Sequence, residues 1–164
     1  MQKVDYLIIQ STDTSEAKDF GKEIIINQHT LPKDKGGFEW NRPGIDYLVL
    51  QDGVLQTIIS EDSLTTTDLW GISHGQNGIT GIAKHIAYVG GRTLKEAWDK
   101  DTRTDEQKAA LEAIVRFYIL RFPDIIIAGF NEIPAKADED SPGFEVAEWL
   151  RELNIPEHNI YKRK

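Results

Sequence analysis

The chain has 164 residues, of which 40% are hydrophobic and 28% charged, and its length suits one compact domain over residues 1–164 with a net charge of -8. The absence of cysteine excludes disulfides, a thiolate nucleophile and zinc sites built on cysteine, and the acidic balance disfavours nucleic-acid partners. No apolar run is long enough to span a bilayer, and the N-terminus lacks the basic and apolar regions of a signal peptide, so we expect a cytoplasmic protein without a membrane partner.

The first third of the chain predicts a strand, a helix and a hairpin. Residues 4–9 form an apolar run rich in strand-forming side chains, which predicts the first strand. Residues 15–26 carry apolar side chains at helical spacing and predict an amphipathic helix. The Asp52-Gly53 pair between the apolar runs 46–50 and 54–59 indicates a β-hairpin.

The middle of the chain combines an irregular segment with a strand. Residues 61–81 are rich in threonine, serine, glycine and asparagine without sustained periodicity, which predicts a long excursion over the surface. Residues 84–89 are bracketed by glycines and predict a strand in which His85 is buried. No two of the four histidines have metal-ligand spacing, so spacing alone predicts no metal site.

The C-terminal part contains the clearest predicted element. Thr104 followed by Gln107 is a capping box, and apolar side chains recur at helical spacing after it until Pro123. The short apolar run 124–128 follows directly and predicts a strand, reached by a crossover onto a partly parallel sheet. Residues 144–153 predict a last helix. The expected fold is therefore α/β, with a central mixed β-sheet flanked by helices.

A series of motifs extends along nearly the whole chain. They lie at residues 4–14, 29–33 with 36–37, 44–53, 85–91, 101–108 and 142–144 with 149–150. In this order they resemble the N-acetylmuramoyl-L-alanine amidases, and more specifically the phage and prophage enzymes of the type 2 amidase family, relatives of the peptidoglycan recognition proteins. The resemblance implies a mixed sheet with flanking helices that holds a zinc ion, and this zinc activates water against the amide between N-acetylmuramic acid and L-alanine.

At the zinc-ligand positions that the resemblance implies, this chain departs from the family. Gln10 stands where the family has its first histidine, and Phe130 stands where it has the second. The third position, a cysteine or aspartate in the family, falls on Ser141 or Asp138. An amide oxygen is a poor zinc donor and a phenyl ring is none, so the resemblance implies that zinc has been lost.

The family's other catalytic positions are also largely changed. A tyrosine thought to assist catalysis falls on Ile45, and only Lys136 matches the family's catalytic set. The favoured hypothesis is a zinc-free, catalytically inactive amidase-fold protein without a cofactor, encoded by a phage, that binds a ligand in the former substrate groove. The ligand is a peptidoglycan fragment, another small molecule or a host protein. The expected ligand-binding residues are Gln10, His29, Trp40, His74, Phe130, Asn131 and Lys136.

Two alternatives remain open from the sequence. The first is an active N-acetylmuramoyl-L-alanine amidase whose zinc is held by other residues, for example His74, Asp138 and Asp46. The second is a purely structural or assembly role. Metal content and peptidoglycan binding distinguish the three hypotheses.

Overall fold

A computed structural model describes residues 3–62, 69–72 and 78–163 of the chain. Three α-helices lie in this part: α1 (Lys22–Thr30), α2 (Asp105–Arg121) and α3 (Val146–Glu152). The strands are β1 (Tyr6–Ser11), β2 (Thr14–Ser15), β3 (Tyr47–Val49), β4 (Leu55–Thr57), β5 (Ala83–Tyr88), β6 (Gly91–Arg92) and β7 (Ile126–Gly129).

The main sheet has the order β4-β3-β5-β1-β7, and β2 pairs with β6 in a small second sheet. Strands β3, β5, β1 and β7 run parallel to one another, and only β4 is antiparallel, through the hairpin with β3. The mixed sheet with flanking helices confirms the predicted α/β class. Because four strands are parallel, their carboxyl ends lie along one edge of the sheet.

The rear face of the sheet carries the larger core cluster. Side chains from alternate positions of β1, β5 and β7 pack there against α2 and α3, as the two-residue period of a strand requires. The buried members include Leu7, Ile9, Tyr88, Val115 and Leu150.

The front face carries two smaller clusters. One surrounds Ile8 and Phe130 at the β1–β7 side, and the other surrounds Ile25 of α1 and Leu48 of β3. Trp70 is partly buried and packs against both clusters.

The capping box of α2 is present as predicted. Thr104 Oγ1 accepts a hydrogen bond from Gln107 N–H at 3.0 Å, and Gln107 Oε1 accepts one from Thr104 N–H at 2.9 Å. The same Gln107 amide donates to the carbonyl oxygens of Val49 and Val89 at 3.2 and 3.0 Å. Gln107 is fully buried. This one side chain caps the start of α2 and also hydrogen-bonds the carbonyl groups just at the ends of β3 and β5. Neither α2 nor any other helix in the described part is long and apolar enough to cross a membrane.

The predicted helix over residues 15–26 is wrong in its first half. Ser15 belongs to β2, where its N–H donates to Glu96 Oε1 and its hydroxyl to the carbonyl oxygen of Leu94. These contacts with residues nearly 80 positions away override the local helical spacing, and α1 begins only at Lys22 after Gly21.

The predicted surface excursion over residues 61–81 holds only in part where the structure describes it: the described residues form no helix or strand, but two of them are buried. Ile72 and Ile79 are buried in the front-face core, and Trp70 packs beside them. Glu61 accepts hydrogen bonds from the hydroxyls of Tyr47 and Tyr118, which attach the start of the segment to the rear face. Among the described residues of this segment, Ile72 and Ile79 are buried singly and neither belongs to a helix or strand, which agrees with the absence of a periodic pattern.

We predict that Gln107→Leu lowers the free energy of unfolding by about 2–4 kcal/mol, because it removes the hydrogen bonds of the Gln107 amide to Thr104 N–H and to the Val49 and Val89 carbonyl groups, of which Val49 keeps only the bond from Val89 N–H. Chemical denaturation of the purified variant measures this loss. Lys108→Leu, at the next and exposed position of the same helix, is the matched control and changes stability by less than about 0.5 kcal/mol. A loss at Gln107 no larger than the control's would show that the side chain does not hold the strand ends.

Candidate functional site

The three positions compared with zinc ligands lie together where β1 and β7 end. Ile9 of β1 pairs with Gly129 of β7, so the next residues, Gln10 and Phe130, lie side by side at the same end of the two strands. Ser141 Oγ accepts a hydrogen bond from Ser11 N–H at 2.9 Å, directly after Gln10. The carbonyl oxygen of Ser141 accepts one from the backbone N–H that follows Phe130, at 3.0 Å.

These three side chains are enclosed and have internal partners. Gln10 is 2% exposed, Ser141 3% and Phe130 6%. His85 Nδ1 lies 2.8 Å from Gln10 Oε1, and because an amide oxygen only accepts, this contact is a hydrogen bond when Nδ1 carries the ring proton. His85 is 7% exposed, as the sequence predicted it to be buried. Asp138, the other candidate for the third position, is exposed instead.

An aromatic cluster covers this region on the front face. The Trp70 ring centroid lies 5.6 Å from that of Phe130 and 5.1 Å from that of Trp40, both in edge-to-face geometry. Trp40 in turn packs on His29 at 4.8 Å and on Phe38 at 5.1 Å. Contacts of this kind add to burial, so the cluster is a continuous packed unit. Phe38 is 40% exposed and forms the solvent-facing side of the cluster.

Gly44 connects two rings of the aromatic cluster. Its N–H donates to His29 Nδ1 at 2.9 Å, and its carbonyl oxygen accepts from Trp70 Nε1–H at 2.8 Å. A Cβ atom at this position would lie 2.7 Å from Trp70 Nε1 and 2.8 Å from the Trp40 ring, so only glycine allows the close approach.

His29 is a neutral, buried member of the cluster. Burial lowers the pKa of its imidazole from 6.5 to about 4, since the charged form would lose its hydration. Its Nδ1 accepts from Gly44, which assigns the ring proton to Nε2. His29 was predicted to bind a ligand, and at 3% exposure it packs beneath Trp40 and Phe38.

The remaining predicted site residues fall into separate places. Lys136 Nζ lies 5.8 Å from the centroid of the Phe130 ring, beside the aromatic cluster. Asn131 lines a neighbouring cleft. His74 lies outside the described residues. Whether these side chains bind a ligand stays a prediction.

Of the three alternative zinc ligands, Asp46 and Asp138 lie within the described residues and His74 lies outside them. Asp46 is buried, accepts a hydrogen bond from His85 N–H at 2.8 Å and lies 3.5 Å from Lys84 Nζ. Burial raises its pKa despite these favourable partners. Across residues 3–62, 69–72 and 78–163, no group of three or more histidine, aspartate or glutamate side chains could hold a metal ion.

Sequence reasoning missed Trp70 and Phe38. Both stand in segments without periodicity, where an isolated aromatic residue gives no local signal of its contacts. The hint available in the sequence was Gly44. A glycine lets aromatic rings pack close to the backbone, as Trp40 and Trp70 do at this position in the fold.

The arrangement is the fold of the N-acetylmuramoyl-L-alanine amidases and the peptidoglycan recognition proteins. The amidase LysC from Clostridium intestinale superposes with a TM-score of 0.64 at 17% identity, over 94% of this chain and 88% of its own. An endolysin of a Thermus scotoductus bacteriophage gives 0.60 at 18% identity, over 98% and 88% of the two chains.

The Drosophila peptidoglycan recognition protein SA has the same fold. It superposes with a TM-score of 0.64 at 15% identity, over 100% of this chain and 84% of its own. The sequence itself matches no protein-family model and no curated protein. At these identities the structural likeness establishes the fold alone.

We predict that His29 makes the protein less stable as the pH falls from 7 to 5. The imidazole binds a proton near pH 6.5 in the unfolded chain and only near pH 4 in the folded one. Its contribution to the free energy of unfolding therefore falls by about 2 kcal/mol between pH 7 and pH 5. His29→Gln keeps an acceptor oxygen but cannot titrate, and its unfolding free energy lacks this fall relative to the parent protein. Urea unfolding at both pH values measures the difference.

His158→Gln, at an exposed histidine, is the matched control and retains the pH dependence of the parent. Equal pH dependence in the His29 variant and the parent would contradict a neutral, buried His29.

Proposed function

We propose that this protein is a zinc-free relative of the phage amidases that binds peptidoglycan fragments on its front face and does not hydrolyse them. The single observation that supports it most is the state of the three former ligand positions. They hold Gln10, Phe130 and Ser141, and each is enclosed by neighbours that already satisfy it.

The donor set does not fit a catalytic zinc ion. Such a site needs three protein ligands, drawn from imidazole, thiolate and carboxylate groups, and an open fourth position for water. Gln10 and Ser141 offer one amide and one hydroxyl oxygen, and Phe130 offers no donor. Exposures of 2–6% leave no open position for water in the arrangement described.

The substitutions are consistent with one another. An empty polar pocket would leave buried groups without partners, at a cost of about 1–3 kcal/mol each. Phe130 instead fills its position with a ring that Trp70 covers, and Gln10 is hydrogen-bonded to His85. The site is therefore stable without metal, which supports binding rather than hydrolysis as its use.

The surface left accessible suits a peptidoglycan fragment. Phe38 and the partly buried Trp40 and Trp70 offer aromatic faces, on which the apolar face of a sugar ring or a peptide side chain packs. Lys136, beside Phe130, supplies a positive charge for a carboxylate of the peptide. We choose peptidoglycan as the ligand because the structural neighbours include peptidoglycan recognition proteins and N-acetylmuramoyl-L-alanine amidases.

We expect protein produced in zinc-supplemented medium to contain far less than one zinc ion per chain and to release no L-alanine peptides from cell walls. Elemental analysis and chromatography of the digest measure both quantities. The triple variant Gln10→His, Phe130→His and Ser141→Cys restores the family's ligand types and is expected to bind about one zinc ion per chain.

Zinc bound stoichiometrically by the unmodified protein, together with peptide release, would overturn the proposal in favour of an active amidase with other ligands. A triple variant that folds but takes up no zinc would show that the three positions do not correspond to a metal site.

We predict that a disaccharide-tetrapeptide muropeptide raises the melting temperature of the metal-free protein, because a ligand that binds only the folded state stabilises it. Trp40→Leu is expected to abolish the rise, and Lys136→Gln to weaken binding about fivefold through the lost ion pair. Leu120→Ala, at an exposed apolar position on α2, is the control and leaves the rise unchanged. No rise with the unmodified protein at millimolar muropeptide would contradict the proposal.

A further inference from the structure

An ion pair is enclosed in the sheet at the point where β3 begins. The side chains of Asp46 and Lys84 are 2% and 4% exposed, and Asp46 Oδ1 lies 3.5 Å from Lys84 Nζ. Taking two charges out of water is costly, and the attraction between them offsets that cost only with good geometry and further hydrogen bonds. Neither side chain belongs to the surface proposed to bind a ligand, so the pair needs an explanation of its own.

The carboxylate of Asp46 extends the pairing of β3 with β5 beyond its first residues. Tyr47 and Ile86 are the first paired residues of the two strands, but β5 begins earlier, at Ala83. Asp46 N–H donates to the carbonyl oxygen of His85 at 2.9 Å, and Asp46 Oδ2 accepts from His85 N–H at 2.8 Å. A buried N–H needs an acceptor, so this side chain takes the place of a strand carbonyl group.

The residues before Asp46 leave the sheet and join the front face. Ile45 is buried in one of the two front-face clusters. Gly44 donates to His29 Nδ1 at 2.9 Å and accepts from Trp70 Nε1–H at 2.8 Å. Because Gly44 lies two residues before Asp46, the place of the Asp46 carboxylate limits where the rings of the aromatic cluster lie.

The same carboxylate also holds His85, whose ring faces the former ligand position. His85 Nδ1 lies 2.8 Å from Gln10 Oε1, and the His85 ring centroid lies 6.3 Å from that of Trp70. Direct contacts therefore lead from Asp46 to the front face twice, once through Gly44 and once through His85. Side chains of a binding site are held in place by supporting hydrogen bonds of this kind.

Lys84 fixes the orientation of the Asp46 carboxylate. With Oδ2 on His85 N–H, the other oxygen faces the Lys84 ammonium group. Removal of one charge leaves the other uncompensated in the interior, whereas removal of both does not. We propose that Asp46, paired with Lys84, is a positioning residue that holds the aromatic cluster and Gln10 in the arrangement that binds the ligand, an inference that rests on the proposed function of the front face.

The test compares the loss of one buried charge with the loss of both. Asp46→Asn keeps an oxygen for His85 N–H but sets an amide against the Lys84 ammonium group, and it is expected to weaken binding of the disaccharide-tetrapeptide muropeptide about tenfold. The double variant Asp46→Asn with Lys84→Met is expected to recover the parent dissociation constant within about twofold. Calorimetry at a temperature at which each variant is fully folded leaves the dissociation constant unaffected by a loss of stability alone.

A second comparison isolates the acceptor for His85 N–H. With Lys84→Met in both proteins, Asp46→Leu has the size of Asp46→Asn but no acceptor, and it is expected to bind the muropeptide about tenfold more weakly. These two double variants also carry the test if Asp46→Asn alone does not fold. Asp52→Asn, at an exposed position of the same hairpin, is the matched control and leaves the affinity unchanged.

The nuclear magnetic resonance signal of the Trp70 indole N–H reports the arrangement without a ligand. It is expected to shift in Asp46→Asn and to return when Lys84→Met is added. Equal affinity of the two double variants would overturn the proposal, as would parent affinity in Asp46→Asn. If the parent protein binds no muropeptide, the proposed function fails, and an unchanged Trp70 signal in Asp46→Asn then overturns the positioning role separately.

Discussion

The parallel alignment of β3, β5, β1 and β7 is the constraint on which the rest of the molecule depends. Parallel strands end at the same edge of a sheet, so distant parts of the chain must meet there. Gln10, Phe130 and Ser141 come from the chain's two ends and lie together for this reason. Tyr88, at the end of β5, donates its hydroxyl to the carbonyl oxygen of Pro142, so the loop after Phe130 is also held by β5.

The position of this edge explains why substitutions at the strand ends need not destroy the fold. The rear-face core under α2 and α3 lies away from this edge and contains most of the large buried side chains. Changes at the strand ends then alter chemistry without removing the main source of stability. The front face adapts locally, because Trp70 and Phe130 pack on each other and Gly44 admits the rings around it. Substitution at a few positions of this edge can in this way change the chemistry of the front face while the fold is kept.

Local sequence signals predict the structure reliably where the structure itself is local. The capping box of Thr104 and Gln107 and the Asp52-Gly53 hairpin depend on residues within a few positions, and both are present. The early helix failed because Ser15 pairs with a hairpin nearly 80 residues away, a contact that no local pattern contains. Positions such as Gln10 and Phe130 came from family resemblance, and the aromatic cover supplied by Trp70 came only from the fold. That Ser141 lies beside Gln10, through the hydrogen bond to Ser11, while Asp138 is exposed, is likewise visible only in the fold.

If the front face binds its ligand without zinc, a muropeptide binds equally well to chelator-treated protein and to the same protein after incubation with excess zinc. Calorimetric titration of a muropeptide into both samples measures this. We expect the same dissociation constant in both samples and no change in the muropeptide after the titration. Binding that appears only with zinc, or a muropeptide cleaved between the sugar and L-alanine, would contradict it.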